Sequence, residues 1–197
     1  MTSTLIANLS PEAIATLNEA WSFWGMDLQI TILEEELAEL SEALTIVHLK
    51  GAWTDAAFEE LADVLVCLSQ VEIALRAKPF SIEKGQRTQW EPVETACSAN
   101  ERDRPDIEIS SPEMHLLLSS LRLMKQISKT RRYNDGEAVM SYGIITEMGA
   151  LMASLSWVCA DLNEAGWFER VMAIRDQKIA LLQKRLERAK AEKRREM

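Results

Sequence analysis

Glycine and proline are scarce, seven and five in 197 residues, and four of the five prolines crowd between Pro79 and Pro112. Elsewhere the chain runs in long proline-poor stretches rich in Leu, Ala, Glu and Met, the residues that enter a helix at least cost, so the expected fold class is all-α. Cysteine is limited to Cys67, Cys97 and Cys159, an odd number without CxxC spacing. That offers no disulfide framework, and Cys67 and Cys159, set in apolar helical patterns, read as core residues of a reducing compartment. Histidine is limited to His48 and His115, preceded three residues earlier by Thr45 and Pro112. The Glu-x-x-His pairs of a di-iron carboxylate bundle are therefore missing. No stretch approaches ~18 uncharged apolar residues, and the N-terminus lacks a basic start followed by an apolar run. The expectation is a soluble, cytoplasmic protein with no membrane partner. Basic residues are outnumbered, 22 against 31 acidic, and the net charge of −9 argues against nonspecific nucleic-acid binding. A nucleotide substrate stays open, because a metal ion inverts the local electrostatics.

What is present is apolar surface, 47% of residues, enough to bury a core. Ser10-Pro11-Glu12 reads as an N-cap with proline at N1, opening a helix to about Phe23. Ile30, Leu33, Leu37, Leu40, Leu44 and Val47 then recur at alternating steps of three and four, a heptad stripe predicting a helix over 26–49 that stops at Gly51. Thr54 or Asp55 caps the next helix, 55–77, whose core positions are Phe58, Leu61, Leu65 and Leu68. The short link makes this pair antiparallel. Residues 79–112 read as a long proline-rich connector. Ser111-Pro112-Glu113 restarts helix over 113–132, Asn134-Asp135-Gly136 turns, and a helix follows over 137–163. A last helix from about Trp167 carries Val171, Ile174, Ile179 and Leu182, and is expected to fray into a charged tail after Leu186.

The second hairpin overlays the first. Glu60-Leu61-Ala62-Asp63 falls on Glu147-Met148-Gly149-Ala150, and Leu33, Leu37 and Leu40 fall on Leu117, Leu121 and Met124. We read a degenerate repeat of a helical hairpin, the two copies forming a four-helix-bundle core with flanking helices. The expected layout is 1–78 with the first hairpin, a 79–112 connector, and 113–197 with the second hairpin and last helix, packed as one domain.

Against that apolar background stand Glu34-Glu35-Glu36-Leu37-Ala38-Glu39 and Glu59-Glu60-Leu61-Ala62-Asp63. Glu36 and Glu39 are three apart, as are Glu60 and Asp63, so each pair lies on one helix face bordering the apolar stripe. Asp63 is the most telling: it sits among Leu61, Ala62, Val64, Leu65 and Val66, where a poor helix former with a charge has no structural purpose. Glu34 and Glu42 fit an ordinary solvated face. Like charges on facing helices repel unless a cation binds, and hard divalent cations want oxygen ligands shared with substrate phosphates. Arg122, Lys125, Lys129 and Arg132 recur at steps of three and four in the second hairpin. They are either a phosphate-holding stripe facing the acids or a solvated outer face.

Glu35-Glu36-Leu37-Ala38-Glu39 (EExxE) followed by Glu60-Leu61-Ala62-Asp63 (ExxD), with Trp24-Gly25 and Gln29 ahead and Val64-Leu65 behind, resembles the MazG-like all-α nucleoside triphosphate pyrophosphohydrolases. That superfamily also holds the dimeric dUTPases, and the resemblance covers residues 20–76. It implies hydrolysis at the α-phosphorus to a nucleoside monophosphate and pyrophosphate, with Mg2+ or Mn2+, two or more ions per site. It further implies that Glu36, Glu39, Glu60 and Asp63 ligate the metals and that Glu35 positions or deprotonates water. Lys178 resembles a lysine that members carry late in the chain, one that reaches phosphate. Assembly as a homodimer or homotetramer is implied too, although an internal repeat lets one chain build its own core. The 79–112 connector has no counterpart. Trp21, Trp24, Trp53 and Gln29 are near enough in sequence to line a base pocket, but stacking accepts every base, and a tryptophan stripe is more often core. A purine such as dGTP is the expected substrate, with dUTP or dCTP the alternative.

Two further classes stay open. A non-catalytic helical adaptor would use the heptad stripe only to dimerise, and would tolerate Asp63→Ala. A nucleotide sensor would bind without turnover.

Overall fold

The computed structural model describes residues 5, 8–77, 79–82, 85–88, 91–102, 111–133 and 141–196. They form α1 (Pro11–Trp24), α2 (Met26–Lys50), α3 (Asp55–Ala77), strands β1 (Pro79–Ile82) and β2 (Gly85–Thr88), α4 (Glu91–Arg102), α5 (Pro112–Tyr133), α6 (Tyr142–Glu164) and α7 (Phe168–Glu196). Apart from one short antiparallel ribbon, pairing Pro79 with Thr88 and Ile82 with Gly85, the described chain is helical.

The helix boundaries follow local chemistry. The Ser10 hydroxyl accepts the Ala13 N–H at 3.2 Å, and Pro11 takes the first-turn position where its missing donor costs nothing. α2 ends at Gly51, whose φ of 65° is left-handed and whose N–H donates to the Val47 carbonyl at 2.8 Å. The Thr54 hydroxyl then accepts from Ala57 N–H at 3.2 Å to start α3. Ser141 does the same for α6.

The α2 stripe is the buried face: Leu33, Leu37, Leu40 and Leu44 are wholly inaccessible, and Ile30 and Val47 nearly so. α3 goes further, with every residue from Val64 to Leu75 buried. The cause is its position, against α2 on one side and against α1 and α7 on others. A helix that is apolar all round is one that neighbours cover all round. α5 packs on α2 and α6, and α6 also carries α4. Arg170 pairs with Asp55 and Lys178 with Asp63, so α7 runs beside α3 in the same direction.

Several expectations change. The 79–112 connector contains the ribbon and α4, and Val93 and Cys97 of α4 are buried. α7 stays helical to Glu196 instead of fraying after Leu186. Its basic end folds back on α1, with Lys190 paired to Glu19 and the Lys193 ammonium 5.4 Å from the Phe23 ring centroid. The Asn134-Asp135-Gly136 turn lies outside the described residues.

The repeat register also shifts for one helix. In the alignment read from the sequence, Leu61, Ala62, Val64 and Leu68 of α3 fall on Met148, Gly149, Leu151 and Leu155 of α6, and all eight are buried. On α5, however, Leu121 is 46% exposed. Besides Ser119, the buried residues are Leu116, Ser120, Leu123, Ile127 and Thr130, one position earlier, aligning with Leu33, Leu37, Leu40, Leu44 and Val47. Buried serine and threonine hid this face from a reading based on leucines. Two of these hydroxyls bond carbonyls one turn back, Ser120 to Leu116 and Thr130 to Gln126, each at 2.9 Å.

α6 is, by length and composition, long and apolar enough to cross a membrane. Here its apolar side lies against α4 and α5. Gly149 makes the α4 contact possible, because a Cβ there would come within 2.4 Å of the Ala96 Cβ and 2.8 Å of the Cys97 backbone nitrogen.

Candidate metal centre

α2 and α3 bring their acidic turns together. One carboxylate oxygen from each of Glu36, Glu60 and Asp63 lies within 4.8 Å of the others. All three side chains are partly buried, because each borders the apolar stripe that packs the two helices. Glu39 is exposed on the rim, close enough for its charge to act on both Glu36 and Glu60. Glu35 is exposed too, one position around the helix.

The electrostatics follow from that crowding. Burial first, then the Asp63, Glu39 and Glu60 charges, push the Glu36 carboxyl up to about 7. Burial, then the Glu39 and Asp63 charges and a side-chain hydrogen bond with Glu39, raise Glu60 to about 7 as well. Lys178 of α7 opposes both effects and pairs directly with Asp63, the two side chains about three-quarters buried. One turn below Asp63, the Cys67 thiol is pushed well above its ordinary range by burial and by the Glu36 and Asp63 charges, which makes it an inert floor.

One atom is left over. Glu60 Oε2 is fully buried and lacks a hydrogen-bond partner among the described residues. A buried carboxylate oxygen without a donor carries its full desolvation penalty. A divalent cation would remove it, and the donor set, all carboxylate oxygens with no thiolate or imidazole, suits a hard ion such as Mg2+ or Mn2+.

In the second hairpin the corresponding place is neutral. The Glu36 position is taken by Ser119 and the Cys67 position by Ser154, and these two hydroxyls hydrogen-bond at 2.9 Å.

The remaining sequence candidates scatter. Arg122, Lys125, Lys129 and Arg132 are exposed, with no ion pair among the described residues, which fits the solvated-face alternative. The α5 groups that reach α2 are different ones. Arg131 Nη1 donates to Glu34 Oε2 at 2.7 Å and Nη2 to the Thr31 hydroxyl at 2.6 Å, while the Ser128 hydroxyl donates to Glu34 Oε1 at 2.9 Å. Glu34, read as a solvated acid, is therefore a docking residue. Trp53 stacks on Phe58 at 5.6 Å with the rings 8° apart, and Trp167 and Arg170 cover other parts of the same ring. Trp53 thus helps close the core around a wholly buried Phe58. Trp24 is half-buried edge-on to Phe23, and Gln29 is buried.

A further buried acid lies outside the candidates drawn from the sequence. Glu72 is fully buried near the end of α3, accepting from Leu5 N–H at 2.9 Å and from Arg76 Nε at 2.8 Å. Arg76 also pairs with Glu94 of α4. A glutamate four residues before an arginine in an apolar run was the available signal.

No family model, curated protein or solved structure matches the chain.

Proposed function

We propose that the chain is a MazG-like, metal-dependent nucleoside triphosphate pyrophosphohydrolase, its two hairpins forming a four-helix-bundle core. It would convert a (deoxy)nucleoside triphosphate and water to the monophosphate and pyrophosphate. The observation that carries the reading is the convergence of one carboxylate oxygen from each of Glu36, Glu60 and Asp63, in a cluster where Glu60 also has a buried oxygen without a hydrogen-bond partner. The sequence adds the ordered EExxE and ExxD patterns on the two helices that form the cluster.

Glu36, Glu60 and Asp63 would hold Mg2+ or Mn2+, with Glu39 joining from the rim. The bound ion would neutralise phosphate charge and acidify water. Exposed Glu35 is free to take a proton from the attacking water at its carboxylate. With Lys125, Lys129 and Arg132 exposed on α5, Lys178 is the cation best placed to meet a phosphate. A purine such as dGTP remains the preferred substrate, with dUTP or dCTP the alternative. A cytoplasmic location and a homodimeric or homotetrameric state belong to the same proposal.

The test is pyrophosphate release from a panel of dNTPs and NTPs with Mg2+, Mn2+ or EDTA, for wild type beside Glu39→Ala. Metal-dependent release from one triphosphate, lost in the variant, is the expected result. Release from none of them would reject the enzyme and leave a sensor or an adaptor.

A further inference from the structure

Lys178 occupies a place that a metal ion would contest. It pairs with Asp63, whose oxygen is one of the three that converge, and both side chains are about three-quarters buried. Glu36, Glu60 and Asp63 come from two packed helices, so their mutual repulsion is relieved either by protons on Glu36 and Glu60 or by a neighbouring cation. Lys178 is the only basic group paired with them among the described residues. A lysine ammonium is a compact charge on a flexible stem, able to leave without moving its backbone. Nor does α7 depend on this contact for docking. Arg170 pairs with Asp55 at 2.8 Å more than two turns earlier, and Val171 and Ile179 are buried on either side.

We infer that Lys178 is a resident counter-ion of the carboxylate cluster, which a divalent cation displaces from Asp63, freeing its ammonium to face an anionic ligand above the site. The inference rests on the metal-site reading proposed above and adds an exchange to it. Metal binding and the release of a phosphate-seeking cation become one event. Metal affinity without nucleotide is held down by the lysine, and nucleotide that captures the freed ammonium raises it.

Mn2+ binding to the nucleotide-free protein by isothermal titration calorimetry tests this, using wild type, Lys178→Gln, and Arg170→Gln as an α7 control outside the cluster. Lys178→Gln should bind Mn2+ roughly three- to tenfold more tightly, the scale of a partly exposed ion pair, with Arg170→Gln unchanged. Equal or weaker binding by Lys178→Gln would overturn the exchange while leaving the metal site standing. Absence of Mn2+ binding in wild type would overturn the site and the exchange together. Should Lys178→Gln fail to fold, wild type alone decides the matter through amine labelling read by peptide mass spectrometry. Labelling of Lys178 should rise several-fold when Mg2+ is added, and unchanged labelling would reject displacement.

Discussion

Glu36 and Glu60 show what three convergent carboxylates cost a helix pair. Each is moved from 4.5 to about 7, with burial the largest cause. Between those values the folded chain holds more protons than the unfolded one, so stability falls as pH rises across that window. The contribution is complete below the unfolded value of 4.5 and lost as pH passes the folded value of about 7. Thermal melts in EDTA should therefore show a decline from about pH 5 to about pH 8 that the double variant Glu36→Gln, Glu60→Gln flattens, by on the order of 1 kcal/mol per group after allowance for solvent screening. A wild-type decline that survives in the double variant would place the titration elsewhere. Mn2+ should also stabilise wild type, by about 2.7 kcal/mol at a hundredfold excess over its dissociation constant, and the double variant far less. Asp63 was legible at this scale, because an aspartate amid leucines and valines has few innocent explanations. Glu72 was passed over, since its partners, Leu5 and Arg76, come from opposite ends of the first 76 residues, and only the fold brings Leu5 to it.

Among the elements, α4 and α5 carry the contrast. α4 docks through a close approach at Gly149, where any side chain meets α4 backbone at 2.8 to 2.9 Å. Gly149→Val should destabilise by about 1–3 kcal/mol, measured by denaturant melts, through overpacking against atoms that cannot rotate away. α5 docks on α2 through Arg131 and Glu34, two side chains about four-fifths buried. Arg131→Ala should cost about 1–3 kcal/mol because it leaves the largely buried Glu34 carboxylate with only the Ser128 hydroxyl, whereas Lys129→Ala on the exposed face should stay within about 0.5 kcal/mol. Equal effects of the two would mean that the exposed stripe is engaged after all. The helices of the first hairpin were readable nearly to the residue, because a stripe of leucines flanked by glycine and threonine caps has one solution. α5 was read one position out of register, since its buried face uses Ser119, Ser120 and Thr130, which only helix neighbours distinguish from surface residues. α4 is not legible in the sequence, since it is short and carries Pro92 at its second position.

For the molecule as a whole, α7 determines how the site is closed. It spans Phe168 to Glu196 and meets α3 along its first half and α1 along its second. Ending the chain after Leu186 removes the Lys190–Glu19 pair and the Lys193–Phe23 contact and should cost no more than about 1 kcal/mol. The shortened protein should keep the full Mn2+ response in a thermal melt, whereas ending it before Lys178 should alter that response. By itself the sequence determined the helical class, the buried stripe of α2 and the pairing of two acidic turns. Those properties depend on periodicity and short-range capping, which are local. Only the tertiary structure decided that the cation beside the acids comes from α7 rather than from the second hairpin, and that Glu39 stands at the rim while Glu36, Glu60 and Asp63 converge. The distance between residues 63 and 178 is set by the packing of three helices, and no periodicity in the chain encodes it.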